Sequence, residues 1–418
     1  MSTAPRRRVL VSAYSCEPGL GSEAGIGWNW VREIALRHDV WLLTRENNVA
    51  RIVAEARELR LTSLHVEGFD LPRWARWWKR GERGAMLYFY LWQLGLAARA
   101  RALDRRVDFD VVHHVTFASS WIPSGLCLVG KPFVWGPVGR HERVPDRFLE
   151  RSNWRLRAAE LAKAALKCCG ELCDPLLWLT RAKADLILSI GQDFAAELPR
   201  PWRAKTRPFL ACGTELEALP RSRFARSQRF SVLYAGRLVD LKGVRLALEA
   251  FARFHALAPD ATFTLVGDGP CRAALQARIR ELGLERSVSL LGKRPRGDVL
   301  AEMRRADVFL FPSFEGAGMV VVEAFACGAP IVCLDHGGPG EMAADGRGLK
   351  VPVARDFDAT AAGLAAALAK LHGDEELRSS LAWTAHRWAL EHATWPAKGA
   401  RLDEFYALAE RRRVERAA

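Results

Sequence analysis

No apolar run of 18 residues or more occurs in this 418-residue chain, so no segment reads as a membrane-spanning helix. No signal-peptide pattern opens it, and its nine cysteines, an odd number, follow no regular framework. Those absences point to a reducing, cytoplasmic setting. Cys168, Cys169 and Cys173 form the one cysteine cluster, without a nearby histidine or a second pair at zinc spacing. Buried helix cysteines are expected there, and not a metal site. No fixed-period repeat and no nucleic-acid-binding motif is present, so nucleic acid is not expected as a partner.

What is abundant is apolar residues and positive charge. Half of the residues are apolar, enough for two domains to bury a core each. The net charge is +14, and half of it falls in residues 71–106, with nine Lys/Arg against two acids. Trp74, Trp77, Trp78 and Trp92 lie in that segment, and twelve of the fifteen tryptophans precede residue 203. Tryptophan interleaved with Arg73, Arg76, Lys79 and Arg80 suits an anionic membrane surface, and an ordinary amphipathic helix covering a sheet is the alternative. Leu87–Leu96 is apolar enough either to pack on the domain or to dip into lipid.

Short β-rich runs alternate with helical stretches along the chain, the pattern of parallel sheets built from βαβ units. Strands are expected at Arg8–Ala13, Asp39–Thr44, Asp110–His114, Pro132–Trp135 and Asp185–Ser189. A polar segment, 216–229, separates these from a second series: strands Phe230–Ala235, Thr262–Val266, Val288–Leu291, Val308–Phe311 and Ile331–Leu334. The expected fold class is α/β, with two Rossmann-like doubly wound domains facing across a cleft. The expected boundaries are 1–215 for the first domain and 230–390 for the second. A last helix in 391–418 is expected to pack back on the first domain.

Two glutamates eight positions apart, Glu315 and Glu323, carry the most functional information. Glu315 follows a strand and opens the turn Gly316-Ala317-Gly318, and Glu323 falls in the helix that comes next. Ligands of open α/β sheets bind at that strand edge, where a carboxylate can accept hydroxyl hydrogens from a sugar or ribose. Gly236-Arg237-Leu238-Val239-Asp240-Leu241-Lys242-Gly243 follows the first strand of the second series. Arg237 and Lys242 beside a helix start make an anion site suited to a diphosphate. Gly267-Asp268-Gly269-Pro270 is a tight turn expected only to shape the wall. Near the N-terminus, the loop from Glu17 to Gly27 includes Gly21 and precedes a helix expected at Trp28–Arg37. Its spacing is wrong for a dinucleotide fingerprint, and it fits a loop approaching a phosphate or sugar better.

With these residues in order, the chain resembles the family 4 (group 1) retaining glycosyltransferases of GT-B architecture. The match is the Glu315/Glu323 pair, the 236–243 loop, the 267–270 turn, the N-terminal glycine loop, and Gly337-Gly338-x-x-Glu341. Trp135-Gly136-Pro137-Val138-Gly139 also looks familial. The resemblance implies that Arg237 and Lys242 neutralise a donor diphosphate and that Glu323 accepts from ribose hydroxyls. Glu315 then contacts the donor sugar, with the Gly316–Met319 backbone, and Gly236 and Gly21 lining the donor. The family works without a bound metal or other cofactor, so Asp108-Phe109-Asp110 and Asp356-Phe357-Asp358 are not expected to hold one. The implied activity is hexosyl transfer from a nucleotide sugar to a glycan or glycolipid acceptor with retention of configuration, in envelope or exopolysaccharide assembly. The implied place is the cytoplasm, on the inner face of its membrane. Where relatives often have His-x-His the chain has His113-His114; His113 is taken as the one facing the cleft, with a core or surface histidine as the alternative. The 138–142 loop carries Arg140-His141 where close relatives are richer in glycine. A nucleotide-sugar epimerase on the same scaffold and a catalytically silent membrane scaffold are the alternatives.

Overall fold

The computed structural model describes residues 5–79, 84–139, 167–215 and 229–417, with residues 144, 145, 148, 162 and 165. Arg80, the Arg140-His141 pair and all of the 216–229 segment but Arg229 lie outside the described residues. The chain divides into two compact units. One is formed by residues up to 140, 158–211 and 395–418, and the other by 212–394 with 141–157.

The first unit holds a seven-stranded, all-parallel sheet in the order β3-β2-β1-β4-β5-β6-β7. Its strands are β1 (Arg8–Ala13), β2 (Asp39–Thr44), β3 (Leu64–Gly68), β4 (Val111–Thr116), β5 (Phe133–Val138), β6 (Leu186–Ser189) and β7 (Thr206–Pro208). β4 and β5 are buried at every position, as expected for central strands covered by helices on both faces. β3 and β7 are edge strands with mixed, partly charged sequences, which is why apolar patterning does not reveal them. The helix Trp395–Ala417 belongs to this unit and packs on the helix Ser22–Arg37. Arg7 donates to both carboxylate oxygens of Glu410, at 2.7 and 3.0 Å.

The helix after β1 starts at Ser22, six residues before the expected Trp28. It takes in Gly25 and Gly27 because both sit where a side chain has no room. A Cβ on Gly25 would lie 1.9 Å from the Leu20 carbonyl oxygen, and one on Gly27 would lie 2.1 Å from that of Ser15. Read as a loop from composition, the glycines instead let the helix press against the chain that leads into it. Cys168, Cys169 and Cys173 are exposed, and the expectation of burial is corrected: they share their helical segment with Leu172, itself 67% exposed, so this segment does not bury its apolar side chains.

The second unit has a six-stranded parallel sheet in the order β10-β9-β8-β11-β12-β13. Its strands are β8 (Ser231–Ala235), β9 (Thr262–Val266), β10 (Val288–Gly292), β11 (Val308–Phe311), β12 (Ile331–Leu334) and β13 (Gly348–Val351). β11 and β12, VFLF and IVCL, are fully buried central strands. β13 is an edge strand that sequence patterning missed. Each sheet reverses its strand order once, between β1 and β4 in the first and between β8 and β11 in the second. Those two switch points are where such sheets take ligands.

Candidate functional site

At the switch point of the second sheet, the loop after β8 meets the turn after β11. Lys242 sits in that loop and Glu315 in that turn, and Lys242 Nζ lies 2.8 Å from Glu315 Oε2. Both side chains keep partial access to solvent, 23% and 18%. Lys242 also sits 5.2 Å from the centre of the Phe311 ring. Tyr234, buried under the loop, donates its hydroxyl toward the carbonyls of Arg237 (3.3 Å) and Lys242 (3.4 Å). Burial pushes that phenol's pKa well above its ordinary value, so it stays a neutral donor.

The glycines of these motifs are there for contact. Gly243 has φ +63°, and a Cβ on it would lie 1.9 Å from the Pro312 carbonyl oxygen. Gly267 would place a Cβ 1.9 Å from the Gly236 oxygen, and Gly269 one 2.5 Å from that of Leu238. The 267–270 turn is thus pressed against the 236–238 backbone and fixes it. Gly338 does the same for Glu315: its N–H donates to the Glu315 carbonyl at 3.1 Å, and a Cβ on it would lie 2.5 Å from the Gly316 oxygen. The Gly337-Gly338 motif therefore acts by bracing the turn that carries Glu315.

A pocket of about 450 Å³ opens beside this switch point. Its wall includes Gly236, Arg237, Asp268, Lys293, Arg294 and Val320. Arg237, Lys293 and Arg294 outnumber Asp268 in that wall, a charge balance that favours an anion. Val320 is on the helix Met319–Ala326, where the Met319 and Val320 amides precede the first helical bonds and Val321 and Val322 donate to the Gly318 carbonyl. Glu323, one turn further along, is buried, and its Oε1 accepts from Arg296 Nε at 2.8 Å. Glu315, Gly316–Met319, Glu323, Gly236, Arg237 and Lys242 are thus gathered around one strand edge. Lys293, Arg294 and Arg296 were missed by the sequence reading. Their signal was the one that found Arg237: cations directly after a strand, here β10.

In the first unit, Gly21 caps the helix Ser22–Arg37 at the switch point, with open space where a Cβ would stand. Glu23, in the first turn, accepts from the Ala118 N–H beyond β4. Its carboxyl is enclosed enough that burial raises its pKa to about 7, the Ala118 bond only partly offsetting this. A carboxyl group thus bridges the switch point of each sheet, Glu23 in the first and Glu315 in the second. The expectation for His113 is corrected. It is fully buried, with Nδ1 2.8 Å from the Tyr406 hydroxyl and Nε2 2.7 Å from the Gly136 carbonyl oxygen. β4 alternates its faces, so His113 points into the layer of the Trp395–Ala417 helix and has no nitrogen left for a substrate. His114, on the opposite face, is also buried, its Nε2 3.2 Å from the Phe117 carbonyl oxygen. Desolvation lowers the pKa of both histidines to about 4.

The Asp-x-Asp triplets have structural partners. Asp108 and Asp110 pair with Lys131 and Arg8, Asp356 caps the helix Phe357–Gly373, and Asp358 pairs with Arg253. Among the described residues no group of three or more His, Cys, Asp or Glu could hold a metal, and no helix is long and apolar enough to cross a membrane.

The sequence model of the family described as "Glycosyl transferases group 1" matches residues 217–388. Among curated proteins, the chain is 29% identical over 252 residues to the GDP-mannose-dependent alpha-(1-6)-phosphatidylinositol monomannoside mannosyltransferase of Mycolicibacterium smegmatis. That match covers 58% of this chain and 65% of the relative, just under two thirds of its length. The 2-deoxystreptamine glucosyltransferase of Streptomyces kanamyceticus is 27% identical over 331 residues, covering 72% of this chain and 79% of its own. Of solved structures, sucrose-phosphate synthase from Thermosynechococcus elongatus superposes with a TM-score of 0.64 at 17% identity, covering 99% of this chain and 100% of its own. HepE of Anabaena in complex with UDP and glucose gives 0.59 at 18% identity, covering 96% of this chain and all of the other. The chain therefore has the GT-B fold, two parallel-sheet Rossmann-like domains, and its residues 217–388 are similar to the group 1 glycosyltransferases.

Proposed function

We propose that the protein transfers a hexosyl group from a nucleoside-diphosphate sugar to a hydroxyl of a glycan or glycolipid, with retention of anomeric configuration. The carrying observation is the charge layout at the β8/β11 switch point: cations on two strand-following loops, and two glutamates one turn and one helix away. The diphosphate is read as the ligand of Arg237 and Lys242, with Lys293 and Arg294 adding to the field. Glu323 is read as the ribose acceptor, oriented by Arg296, and Glu315 as the contact to the donor sugar. One named relative is GDP-mannose-dependent and one solved structure holds UDP, and either nucleotide has the chemistry these groups require.

In the transfer, the acceptor oxygen forms a bond to the anomeric carbon from the face the phosphate leaves. The bond from that carbon to the phosphate oxygen breaks, and its electron pair stays on the diphosphate. The acceptor's proton passes to the departing phosphate oxygen. Fixed cations and the Met319 and Val320 amides at the start of Met319–Ala326 stabilise the negative charge as it develops. Four basic side chains supply the positive charge, so no metal is needed and chelation by EDTA leaves transfer unchanged. The N-terminal unit is assigned the acceptor, and the enzyme is placed at the inner face of the cytoplasmic membrane, where an envelope or exopolysaccharide intermediate is built.

A thermal-shift panel of UDP and GDP sugars tests the donor site, because a ligand of the native state raises its stability by mass action. A melting temperature indifferent to every nucleotide sugar at millimolar concentration sinks the proposal.

A further inference from the structure

The helix Ala85–Val107 has two apolar faces. Tyr88, Phe89, Trp92 and Leu96 are buried against the first sheet. On the outward side, Leu87, Leu91 and Leu94 follow at spacings of four and three, one stripe of a helix. Leu87 is 56% exposed and Leu94 43%. A helix lying on a water-facing domain carries a polar stripe at those positions.

Just before it in the chain, Trp74 and Trp77 are 79% and 76% exposed. Trp78 is not part of this: its ring packs near Tyr88, and its indole N–H donates to the Ala75 carbonyl at 3.0 Å. The segment that presents the two tryptophans has a rigid base. Asp70 is almost fully buried, takes ion pairs from Arg45 and Arg76 at 3.2 Å each, and accepts from the Tyr88 hydroxyl at 2.6 Å. The tryptophans are therefore held outward by an anchored segment. In the sequence around them, residues 71–83 contain five Lys/Arg and one acid, and Arg73 is exposed beside Trp74.

We propose that Trp74, Trp77 and the Leu87–Leu94 stripe form a docking surface for an anionic lipid bilayer. Indole rings seat at the headgroup level, leucines reach the acyl boundary, and flanking cations pair with acidic headgroups. The basic surroundings select a lipid surface of opposite charge over a second copy of this chain, which brings the same positive charge. The surface also has a defined place. Asp70 follows β3, Arg45 follows β2, and the Arg45 guanidinium lies 5.4 Å from the ring of Tyr14, which follows β1. Docking thus brings the carboxyl edge of the first sheet, where the Gly21 loop opens, to the lipid headgroups. That consequence rests on the glycolipid reading of the acceptor; the docking itself does not.

The test is flotation of the full chain with vesicles of phosphatidylcholine alone and of phosphatidylcholine and phosphatidylglycerol in equal parts. Wild type cofloats with the anionic vesicles and is released by high salt. Trp74→Ser/Trp77→Ser lowers the bound fraction about tenfold or more, and Leu87→Gln/Leu94→Gln lowers it as well. Leu257→Ser, at a 74%-exposed leucine of the other unit, leaves it unchanged. Failure of wild type to bind anionic vesicles, or equal flotation of the tryptophan variant, overturns the proposal. So does self-association through the same tryptophans with vesicles left unbound. Calorimetric titration with UDP and GDP on the same preparations separates the two readings: flotation without nucleotide binding removes the donor site and leaves the surface standing, and the reverse removes only the surface.

Discussion

Glu315→Gln separates two roles of one carboxylate. In the free protein Glu315 holds Lys242 at 2.8 Å, so a diphosphate bound as proposed draws the ammonium away from it. The gross attraction at that distance is about 6 kcal/mol at an effective dielectric of about 20. Both side chains reach solvent, so after desolvation and screening the net value is only about 1 kcal/mol. Gln keeps the shape and removes the charge. UDP and GDP, which carry no sugar, are then expected to bind up to about fivefold more tightly, since 1.4 kcal/mol is a factor of ten. Transfer moves the other way. A hydrogen bond to a charged group is worth about 1.5–3 kcal/mol, and losing that between Glu315 and the donor sugar lowers turnover by roughly ten- to a hundredfold. Calorimetry with UDP and GDP reads the first effect, and release of nucleoside diphosphate in the presence of acceptor reads the second. Weaker diphosphate binding in the variant, or turnover within about twofold of wild type, would refute the assignment.

Other outcomes follow from the same geometry. Glu323→Gln weakens nucleoside-diphosphate binding by roughly tenfold, as expected for one charged hydrogen bond, and leaves pyrophosphate binding unchanged; calorimetry with both ligands distinguishes a ribose contact from a general loss of charge. His113→Ala destabilises the fold by roughly 3 kcal/mol in urea melts, because it leaves a cavity and strips partners from Tyr406 and Gly136, and it does not alter UDP or GDP affinity. His113 and His114 have folded pKa values of about 4 against an ordinary 6.5, so the unfolded chain binds more protons between those values. Stability is full above pH 6.5 and falls as pH drops toward 4, by roughly 2 kcal/mol per histidine at pH 5. Glu23 has the opposite sign: its pKa rises to about 7 on folding, so it costs stability as pH climbs from 4.5 through 7. Glu23→Gln is therefore stabilising by up to about 3 kcal/mol at pH 8 and near neutral in effect at pH 4, read by urea melts at the two pH values.

Several features were legible in the sequence because local physics enforces them. Central strands such as VFLF and IVCL are continuous apolar runs because helices cover both of their faces. Glycines at 243, 267 and 338 are needed where one backbone touches another, so they mark the loops that build the site. Glu315, Glu323, Arg237 and Lys242 stood out because each lies within a few residues of a strand end or a helix start. Pairing across the sheet was not legible. No local signal tells that Lys242 meets Glu315, 73 positions away, or that Arg296 meets Glu323, and the cations after β10 join the pocket only through the strand order. The alternation of β4 permits either histidine to face either layer. Only the packing of the Trp395–Ala417 helix, with Tyr406 against His113, assigns that residue to the interior. The same holds for the tryptophans. Composition shows that Trp74, Trp77 and Trp78 sit among cations. The fold, through Asp70 and Tyr88, decides that the first two face outward and the third does not. Sequence determines which groups are available, through spacing and chain-local sterics. Tertiary structure decides which of them meet, because contacts between residues far apart in the chain depend on how the sheets and helices pack.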